Sequence, residues 1–220
     1  MRMHKKNNLE ERLKNCAPVL TECDLKNKNM LTAAGEKDYL DLKRIFKNDN
    51  PVHLEIGCGK GKFACDMAEK FPDINFVACE KISNVLIDAC ERAIDEKIEN
   101  AHFLNCAAEV LQKYFPQKSV EKIYLNFSNP LPREGYKKQR LTHPRFLKIY
   151  KDILKDGGEI IQKTDDKAFY EFSLDSFRAE NFKIISTDEN YETVLGDAET
   201  EHEKLFKSMG RNIFRIIVKV

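Results

Sequence analysis

From residue 52 onward, two patterns of apolar residues alternate along the chain. Short runs rich in β-branched and aromatic residues are followed by longer segments in which apolar residues recur every three or four positions. The short runs predict buried strands, and the segments with apolar residues every three or four positions predict amphipathic helices. Strands and helices that alternate in this way indicate an α/β fold, in which helices cover both faces of a mostly parallel sheet.

Seven strands and six helices follow from these patterns, and the last two strands are expected to form a hairpin at the sheet edge. The predicted strands span 52–56, 74–80, 101–106, 122–128, 158–164, 182–189 and 212–220. The predicted helices lie near 61–71, 82–97, 108–115, 144–154, 166–179 and 199–208. In such a sheet the carboxyl ends of the parallel strands meet at one edge, where ligands bind.

The length of the chain suits a single domain. Its 220 residues can bury a full core in one α/β domain and are too few for two. We expect residues 1–30 to form a mobile basic N-terminal arm and residues 31–220 to form the domain. No apolar run approaches the roughly 20 residues of a membrane span, and the start lacks the apolar segment of a secretory signal. The protein is therefore expected to be cytoplasmic, either as a monomer or as a homodimer.

Cysteine usage and charge narrow the possible partners. Seven cysteines are scattered through apolar segments without a CxxC pair, so buried free thiols are expected rather than disulfides or a metal site. The net charge is only +1, yet lysine and arginine concentrate near the start of the chain and between residues 133 and 151. Such local basic segments can bind a polyanion although the total charge is near zero.

A glycine-rich turn follows the first of these strands. The run Gly57-Cys58-Gly59-Lys60-Gly61 connects strand 52–56 to a helix, which is where doubly wound folds bind ligands. Lys62 occupies the position at which a dinucleotide fold needs its third glycine, so NAD and FAD are disfavoured. A GK[ST] sequence is also missing, which disfavours nucleoside triphosphates.

Two carboxylates flank this turn. Glu80 ends the second strand, where a carboxylate can accept hydrogen bonds from two ribose hydroxyls. Glu55 precedes the turn, and an acid beside the ligand suits an ammonium group better than a phosphate. The pair favours S-adenosylmethionine as the cofactor. Alternatively, Glu80 is a solvated strand-end residue and Glu55 is a partner of the helix cap.

The segment after the fourth strand carries the second candidate motif. Two prolines in Asn129-Pro130-Leu131-Pro132 force the chain out of the sheet beside the proposed cofactor, which places Asn129 at the reaction centre. Basic residues follow that can hold RNA phosphates or simply form a solvated charged loop. They are Arg133, Lys137, Lys138, Arg140 and Arg145.

Five segments, in this order and spacing, resemble bacterial tRNA (guanine-N7-)-methyltransferases. They are LEIGCGKGKF, NFSNPLP, KKQRLTHPRFL, GGEIIQKTD and TEHEKLF. The resemblance extends over nearly the whole chain from Asn48. It implies the Rossmann-like class I fold of S-adenosylmethionine-dependent methyltransferases, with a seven-stranded, mostly parallel sheet. It also implies methyl transfer to the N7 of a guanine in the variable loop of tRNA.

The resemblance assigns roles to individual residues. It implies cofactor contacts from Glu55, Glu80, Ala107 and Asn129, of which Asn129 is also the expected catalytic residue. The glycine turn adds Gly57, Gly59 and Gly61 to the expected cofactor contacts. Substrate contacts are expected from Arg133, Asp165, Thr200 and Glu203. The last two also fit a capping box, which by itself would only begin a helix.

Several positions depart from the family's pattern, and the basic run after the proline motif is less dense because it contains Gly135, Tyr136 and Gln139. Asn129 and Leu131 stand where the family usually has aspartate and tryptophan, and Ala107 stands where it commonly has an acidic residue or asparagine. Asparagine keeps a carbonyl acceptor but lacks the charge. Two alternatives therefore stay open: an RNA-binding protein of this fold with little transfer activity, and a nucleic-acid methyltransferase acting on amino groups. Against the second, Arg133 follows the proline pair where those enzymes carry an aromatic side chain.

Overall fold

The computed structural model describes residues 5–23, 37–194 and 196–220. The strands are β1 (Leu20–Glu22), β2 (Val52–Ile56), β3 (Asn75–Cys79), β4 (Ala101–Asn105), β5 (Val120–Asn126), β6 (Leu154–Thr164), β7 (Lys183–Asp188) and β8 (Phe214–Lys219). The helices are α1 (Leu9–Asn15), α2 (Leu42–Phe46), α3 (Lys62–Lys70), α4 (Ser83–Asp95), α5 (Leu111–Tyr114), α6 (Pro144–Ile153), α7 (Lys167–Ala179) and α8 (Glu201–Ser208). Two 3₁₀ segments, Ala108–Val110 and Glu134–Gln139, complete the description.

The strands form one sheet in the order β1-β4-β3-β2-β5-β6-β8-β7. All neighbouring pairs are parallel except those of β8, which runs antiparallel to both β6 and β7. The mostly parallel α/β sheet is thus confirmed, and so is the antiparallel pairing of the last two strands. The strand count is corrected from seven to eight, because Leu20–Glu22 pairs with β4 at the opposite edge.

The core lies on both faces of the sheet. β2, β3 and β4 are buried along their whole length, as expected for parallel strands covered on two sides. α3 and α4 pack with α1 on one face, whereas α6 and α7 pack on the other. β7 alternates between exposed and half-buried positions, because one of its faces meets solvent at the sheet edge. No helix among residues 5–23, 37–194 and 196–220 is long and apolar enough to cross a membrane.

Part of the predicted N-terminal arm packs against the domain. Leu9 and Leu13 of α1 are buried against α4, and the Arg12 guanidinium donates two hydrogen bonds to the Glu91 carboxylate, at 2.7 and 2.6 Å. Residues 5–23 therefore contribute a helix and an edge strand to the fold. The rest of the arm, 1–4 and 24–30, lies outside the described residues. Mobility of the arm stays a prediction.

Candidate active site

The glycine turn lies at the carboxyl edge of the sheet, between the end of β2 and the start of α3. Gly57, Gly59 and Gly61 all have left-handed backbones, with φ of 81, 57 and 73°. The N–H groups of Gly57 and Cys58 both donate to the Cys79 carbonyl, at 2.8 and 3.1 Å, which fixes the turn against β3. The alternating positive φ angles explain why glycine is needed at three of five positions.

The three glycines differ in how much space there is for a side chain. A Cβ on Gly57 or Gly59 would find no heavy atom of the described structure within 4 Å, whereas a Cβ on Gly61 would lie 2.4 Å from the Ala89 Cβ. The first two therefore leave open space beside the backbone, which a ligand can approach closely. Gly61 is required for the packing of α3 against α4, and its predicted contact with the cofactor stays a prediction.

Glu55 is buried next to this turn with an unsatisfied oxygen. Its side chain is 4% exposed, and its Oε1 accepts a hydrogen bond from the Asn126 amide at 3.0 Å. Burial raises the pKa of Glu55 to about 7, against the opposing effects of the Asn126 hydrogen bond and the positive charge of Lys163. Glu55 Oε2 and Asn126 Oδ1 are buried acceptors with no partner among the described residues. An ammonium group, with three N–H donors, fits this pair of orphaned oxygens.

Glu80 lies one residue beyond the end of β3. Its Oε1 accepts from the Ile82 N–H at 2.9 Å, and its carbonyl accepts from the Asn105 amide at 2.8 Å. These bonds fix a half-buried carboxylate at the same sheet edge as the glycine turn, the placement predicted for a group that binds two ribose hydroxyls. Ala107 follows β4 and is 8% exposed, so it offers the ligand only a methyl group and its backbone.

Asn129 lies on a strained turn beyond β5. Phe127 and Leu131 on either side of it have φ of 48 and 46°, and the exposed Asn129 accepts a hydrogen bond from the Leu131 N–H through Oδ1 at 3.1 Å. Positive φ is costly for residues as large as phenylalanine and leucine, and such strain is concentrated at functional sites. The turn thus presents the Asn129 amide at the surface.

The four predicted substrate residues have different surroundings. Arg133 is exposed before the 3₁₀ segment 134–139. Asp165 directly follows β6 and pairs with Arg211 at 2.9 Å. Thr200 caps α8 by accepting from the Glu203 N–H at 2.9 Å, as the capping box predicted.

Glu203 belongs to a buried ionic network that the sequence analysis missed. Lys163 Nζ lies 2.7 Å from Asp197 Oδ2 and 3.2 Å from Glu203 Oε2. The side chains of Lys163 and Glu203 are both fully buried. The other Glu203 oxygen is 2.5 Å from the Thr193 hydroxyl and 3.3 Å from Lys207 Nζ. We call Lys163, Asp197 and Glu203 the Lys163 network; it ties the segment before α8, and α8 itself, to the end of β6.

Gln162 was also missed. It is 1% exposed, and neither amide atom has a hydrogen-bond partner among the described residues. The available signal was a glutamine and a lysine next to each other inside the predicted strand GEIIQKT, because polar side chains are rarely buried without a purpose.

The basic run after Asn129 does not form one uniform surface. Arg140 is 6% exposed; it donates to the Leu131 carbonyl at 3.2 Å, and its guanidinium lies 4.5 Å from the centre of the Phe172 ring. Arg145 pairs with Glu109 at 2.8 Å. Arg140 therefore supports the protein itself, whereas Arg145, in its surface ion pair, and Lys138 are both exposed.

A shallow groove of about 630 Å³ runs beside this basic segment, between residues 134–139 and α7. It is lined by none of the predicted cofactor residues. In residues 5–23, 37–194 and 196–220, no three histidine, cysteine or acidic side chains are grouped so that they could hold a metal ion. All seven cysteines are free thiols, and six of them are buried.

Sequence comparisons agree with this geometry. The family described as "Putative methyltransferase" matches residues 49–216. The chain is 41% identical over 177 residues to the tRNA (guanine-N(7)-)-methyltransferase of Geobacillus sp. (strain WCH70), covering 80% of each protein. It is 38% identical over 179 residues to the enzyme of the same name from Bacillus cytotoxicus, covering 80% of this chain and 82% of the relative.

Solved structures support the fold. The 16S rRNA methyltransferase KamB superposes with a TM-score of 0.63 at 15% identity, over 84% of this chain and 95% of that one. A SAM-dependent methyltransferase from Aquifex aeolicus gives a TM-score of 0.55 at 13% identity, over 98% and 100%. At these identities the similarity confirms the Rossmann-like methyltransferase fold alone.

Proposed function

Since the chain belongs to the family of tRNA (guanine-N(7)-)-methyltransferases, we propose that it transfers a methyl group from S-adenosylmethionine to the N7 atom of a guanine in tRNA. The observation that carries this proposal is the open glycine turn between two carboxylates at the sheet edge. We further propose that the target guanine is in the variable loop and that the enzyme works in the cytoplasm.

Different residues are proposed to contact different parts of the cofactor. Glu55 and Asn126 offer two buried acceptors to the ammonium group of the methionine part, and Glu80 offers its carboxylate to the ribose hydroxyls. The open backbone of Gly57 and Gly59 lets the ligand lie directly against the turn. When bound there, the cofactor supplies a methyl group on a positively charged sulfur.

The chemistry requires orientation more than proton transfer. Guanine N7 carries an in-plane lone pair and is unprotonated at neutral pH, so the enzyme needs no general base. Holding the nucleophile in line with the methyl group accounts for much of the rate enhancement. We propose that Asn129 and Asp165 hold the base, since both lie beyond strand ends at the carboxyl edge.

Glu203 has a different proposed role from the direct guanine contact that the resemblance implied. Both of its oxygens are already engaged, one by Lys163 and the other by the Thr193 hydroxyl, and its side chain is fully buried. We propose that Glu203 positions α8, and that Thr200 contributes by capping the same helix.

The RNA backbone is proposed to bind the exposed part of the basic run. Arg133 and Lys138 are exposed and are suited to bind phosphates, an interaction that weakens as salt concentration rises. Arg140 is excluded from this role because it is buried and engaged within the protein, whereas Arg145, in a surface ion pair with Glu109, can join them because such pairs are weak.

The test is to incubate the protein with S-adenosylmethionine carrying a labelled methyl group and an unmodified tRNA transcript, followed by nucleoside analysis. The expected product is 7-methylguanosine, and a transcript with adenine in place of the variable-loop guanine should remain unlabelled. Label found only on an exocyclic amino group would favour the amino-group alternative. Tight tRNA binding without cofactor uptake in calorimetry would favour the RNA-binding alternative.

A further inference from the structure

Three aromatic side chains meet beside the predicted substrate residues. The rings of Phe127 and His202 are stacked, with centroids 5.8 Å apart and an interplanar angle of 19°. Phe206 lies 5.6 Å from Phe127 and 5.9 Å from His202. We call Phe127, His202 and Phe206 the aromatic platform.

Phe127 has an unfavourable left-handed backbone conformation in this platform. Its φ of 48° is unusual for a large side chain and marks a position that the surrounding structure must hold. The Phe127 N–H donates to the Lys163 carbonyl at 2.8 Å, which anchors the residue at the end of the sheet. Asn129 follows two residues later, so the strained backbone positions the platform and the proposed catalytic residue together.

Of the three rings, His202 is the one whose face is open to a ligand, because other side chains lie against Phe206 and Phe127. The Arg211 guanidinium lies 5.2 Å from the centre of the Phe206 ring, where its pairing with Asp165 holds it. Phe127 is half-buried and carries His202 on its own face, whereas His202 is exposed. A planar ligand would therefore stack on the outer face of His202.

We propose that the aromatic platform receives the target guanine, stacked on His202, an inference that rests on the proposed function. Enzymes that modify a base draw it out of the RNA stack and hold it against aromatic side chains. The platform borders the two residues from which the base contacts are proposed, because Phe127 leads to Asn129 and Arg211 joins Phe206 to Asp165.

The platform also suits the change in charge during the reaction. The N7 lone pair forms the new bond to the methyl carbon, and the electrons of the broken carbon–sulfur bond return to sulfur. The positive charge thereby moves from sulfur to the purine. Aromatic faces attract cations, so the platform binds the developing 7-methylguanine more tightly than guanine. An interaction that strengthens towards the transition state raises kcat.

A binding experiment tests the platform without any methyl transfer. The chain contains no tryptophan, so His202→Trp introduces a single tryptophan at the proposed stacking position, which can be excited selectively over the tyrosines. We expect saturable quenching by 7-methylguanosine monophosphate, with several-fold weaker binding of guanosine monophosphate. The control is Tyr39→Trp, at an exposed aromatic residue whose neighbour Leu40 pairs with α5. Equal quenching in both variants, or none at position 202, would overturn the proposal.

Kinetics separate an aromatic role from a structural one. His202→Tyr should keep kcat/KM for tRNA within about threefold of the wild type, whereas His202→Leu should lower it about tenfold or more through lost stacking. Leu205→Ala, at another exposed position of α8, should change little. Equal activity of the Tyr and Leu variants would overturn the platform while wild-type methylation keeps the proposed function. A wild type that does not methylate tRNA would overturn the function, and the quenching would still report on the platform.

Discussion

Glu55→Gln should stabilise the ligand-free protein and abolish tight cofactor binding. The pKa of Glu55 is raised from an ordinary value of 4.5 to about 7 by burial. At about 1.4 kcal/mol per pH unit, that difference corresponds to about 3 kcal/mol of unfolding free energy. Glutamine has nearly the same shape and keeps an oxygen for the Asn126 amide, so it removes the buried charge without opening a cavity.

The direction of the pH dependence follows from proton binding. Between pH 4.5 and 7 the native state holds a proton on Glu55 that the unfolded state has released. The unfolding free energy therefore falls as pH rises through this window. Below pH 4.5 the carboxyl is protonated in both states, and the wild type and Glu55→Gln should be equally stable. Above pH 7 the variant should be more stable by about 3 kcal/mol.

Urea denaturation at pH 4.5, 6 and 8 measures this difference. Subtracting the unfolding free energy of the wild type from that of the variant at each pH removes the contributions of the other titrating groups. Glu69→Gln, at an exposed position of α3, is the matched control and should show no pH-dependent difference. A stability difference for Glu55→Gln that is the same at all three pH values would refute the reasoning.

Cofactor binding should reverse the order of stability. An ammonium group beside Glu55 restores its ionised form, so saturating S-adenosylmethionine should stabilise the wild type at pH 8 by mass action. It should leave Glu55→Gln nearly unchanged. In calorimetry the wild-type affinity should rise with pH up to about 7, since binding requires the ionised carboxylate. Equal affinities of the two proteins would contradict the proposed role of Glu55.

Three further predictions concern neighbouring parts of the site. Lys163→Met removes the cation shared by the buried Glu203 and the half-buried Asp197, while Glu203 keeps Lys207 at 3.3 Å, and it should lower the unfolding free energy by about 3 kcal/mol; a loss below about 1 kcal/mol in urea titration would contradict it. Gly57→Ala and Gly61→Ala both place a Cβ on a left-handed backbone and should each lose about 1–2 kcal/mol of stability for that reason; Gly61→Ala should lose about 1–3 kcal/mol more through overpacking against Ala89, whereas Gly57→Ala should in addition weaken cofactor affinity, and thermal melts and calorimetry distinguish the two. Asn129→Asp adds a charge while keeping the acceptor for the turn, so kcat should rise several-fold, and an unchanged or lower kcat in the methylation assay would count against it.

Periodicity predicted the α/β core well because buried parallel strands and amphipathic helices leave strong patterns. Every predicted element from residue 52 onward has a counterpart within a few residues. The elements that were missed are α1, β1, α2 and the 3₁₀ segment Glu134–Gln139, none longer than seven residues. Their stability comes from tertiary contacts, such as the Arg12–Glu91 pair, which a local pattern does not contain.

The candidate site was predicted unevenly for the same reason. Motif spacing located the glycine turn, Glu55 and Glu80 at one sheet edge, because adjacent parallel strands bring their ends together. It could not distinguish Gly61, whose Cβ position is filled by Ala89, from the two glycines with open space. Nor could it show that Glu203 is fully buried, since its partner Lys163 lies forty residues earlier in the chain.

Lys163 joins the cofactor side of the site to the substrate side. Its positive charge opposes the effect of burial on Glu55, its carbonyl accepts from the strained Phe127, and its ammonium group holds Asp197 and Glu203. The backbone contact survives substitution by methionine, but the charge does not. Lys163→Met should therefore raise the pKa of Glu55 further and release α8 at the same time. In the double variant Lys163→Met/Glu55→Gln the carboxylate at position 55 is gone, so the loss of stability that comes from Glu55 should be reversed. The release of α8 should not be reversed. We therefore expect stability to be regained in part while tRNA methylation remains impaired.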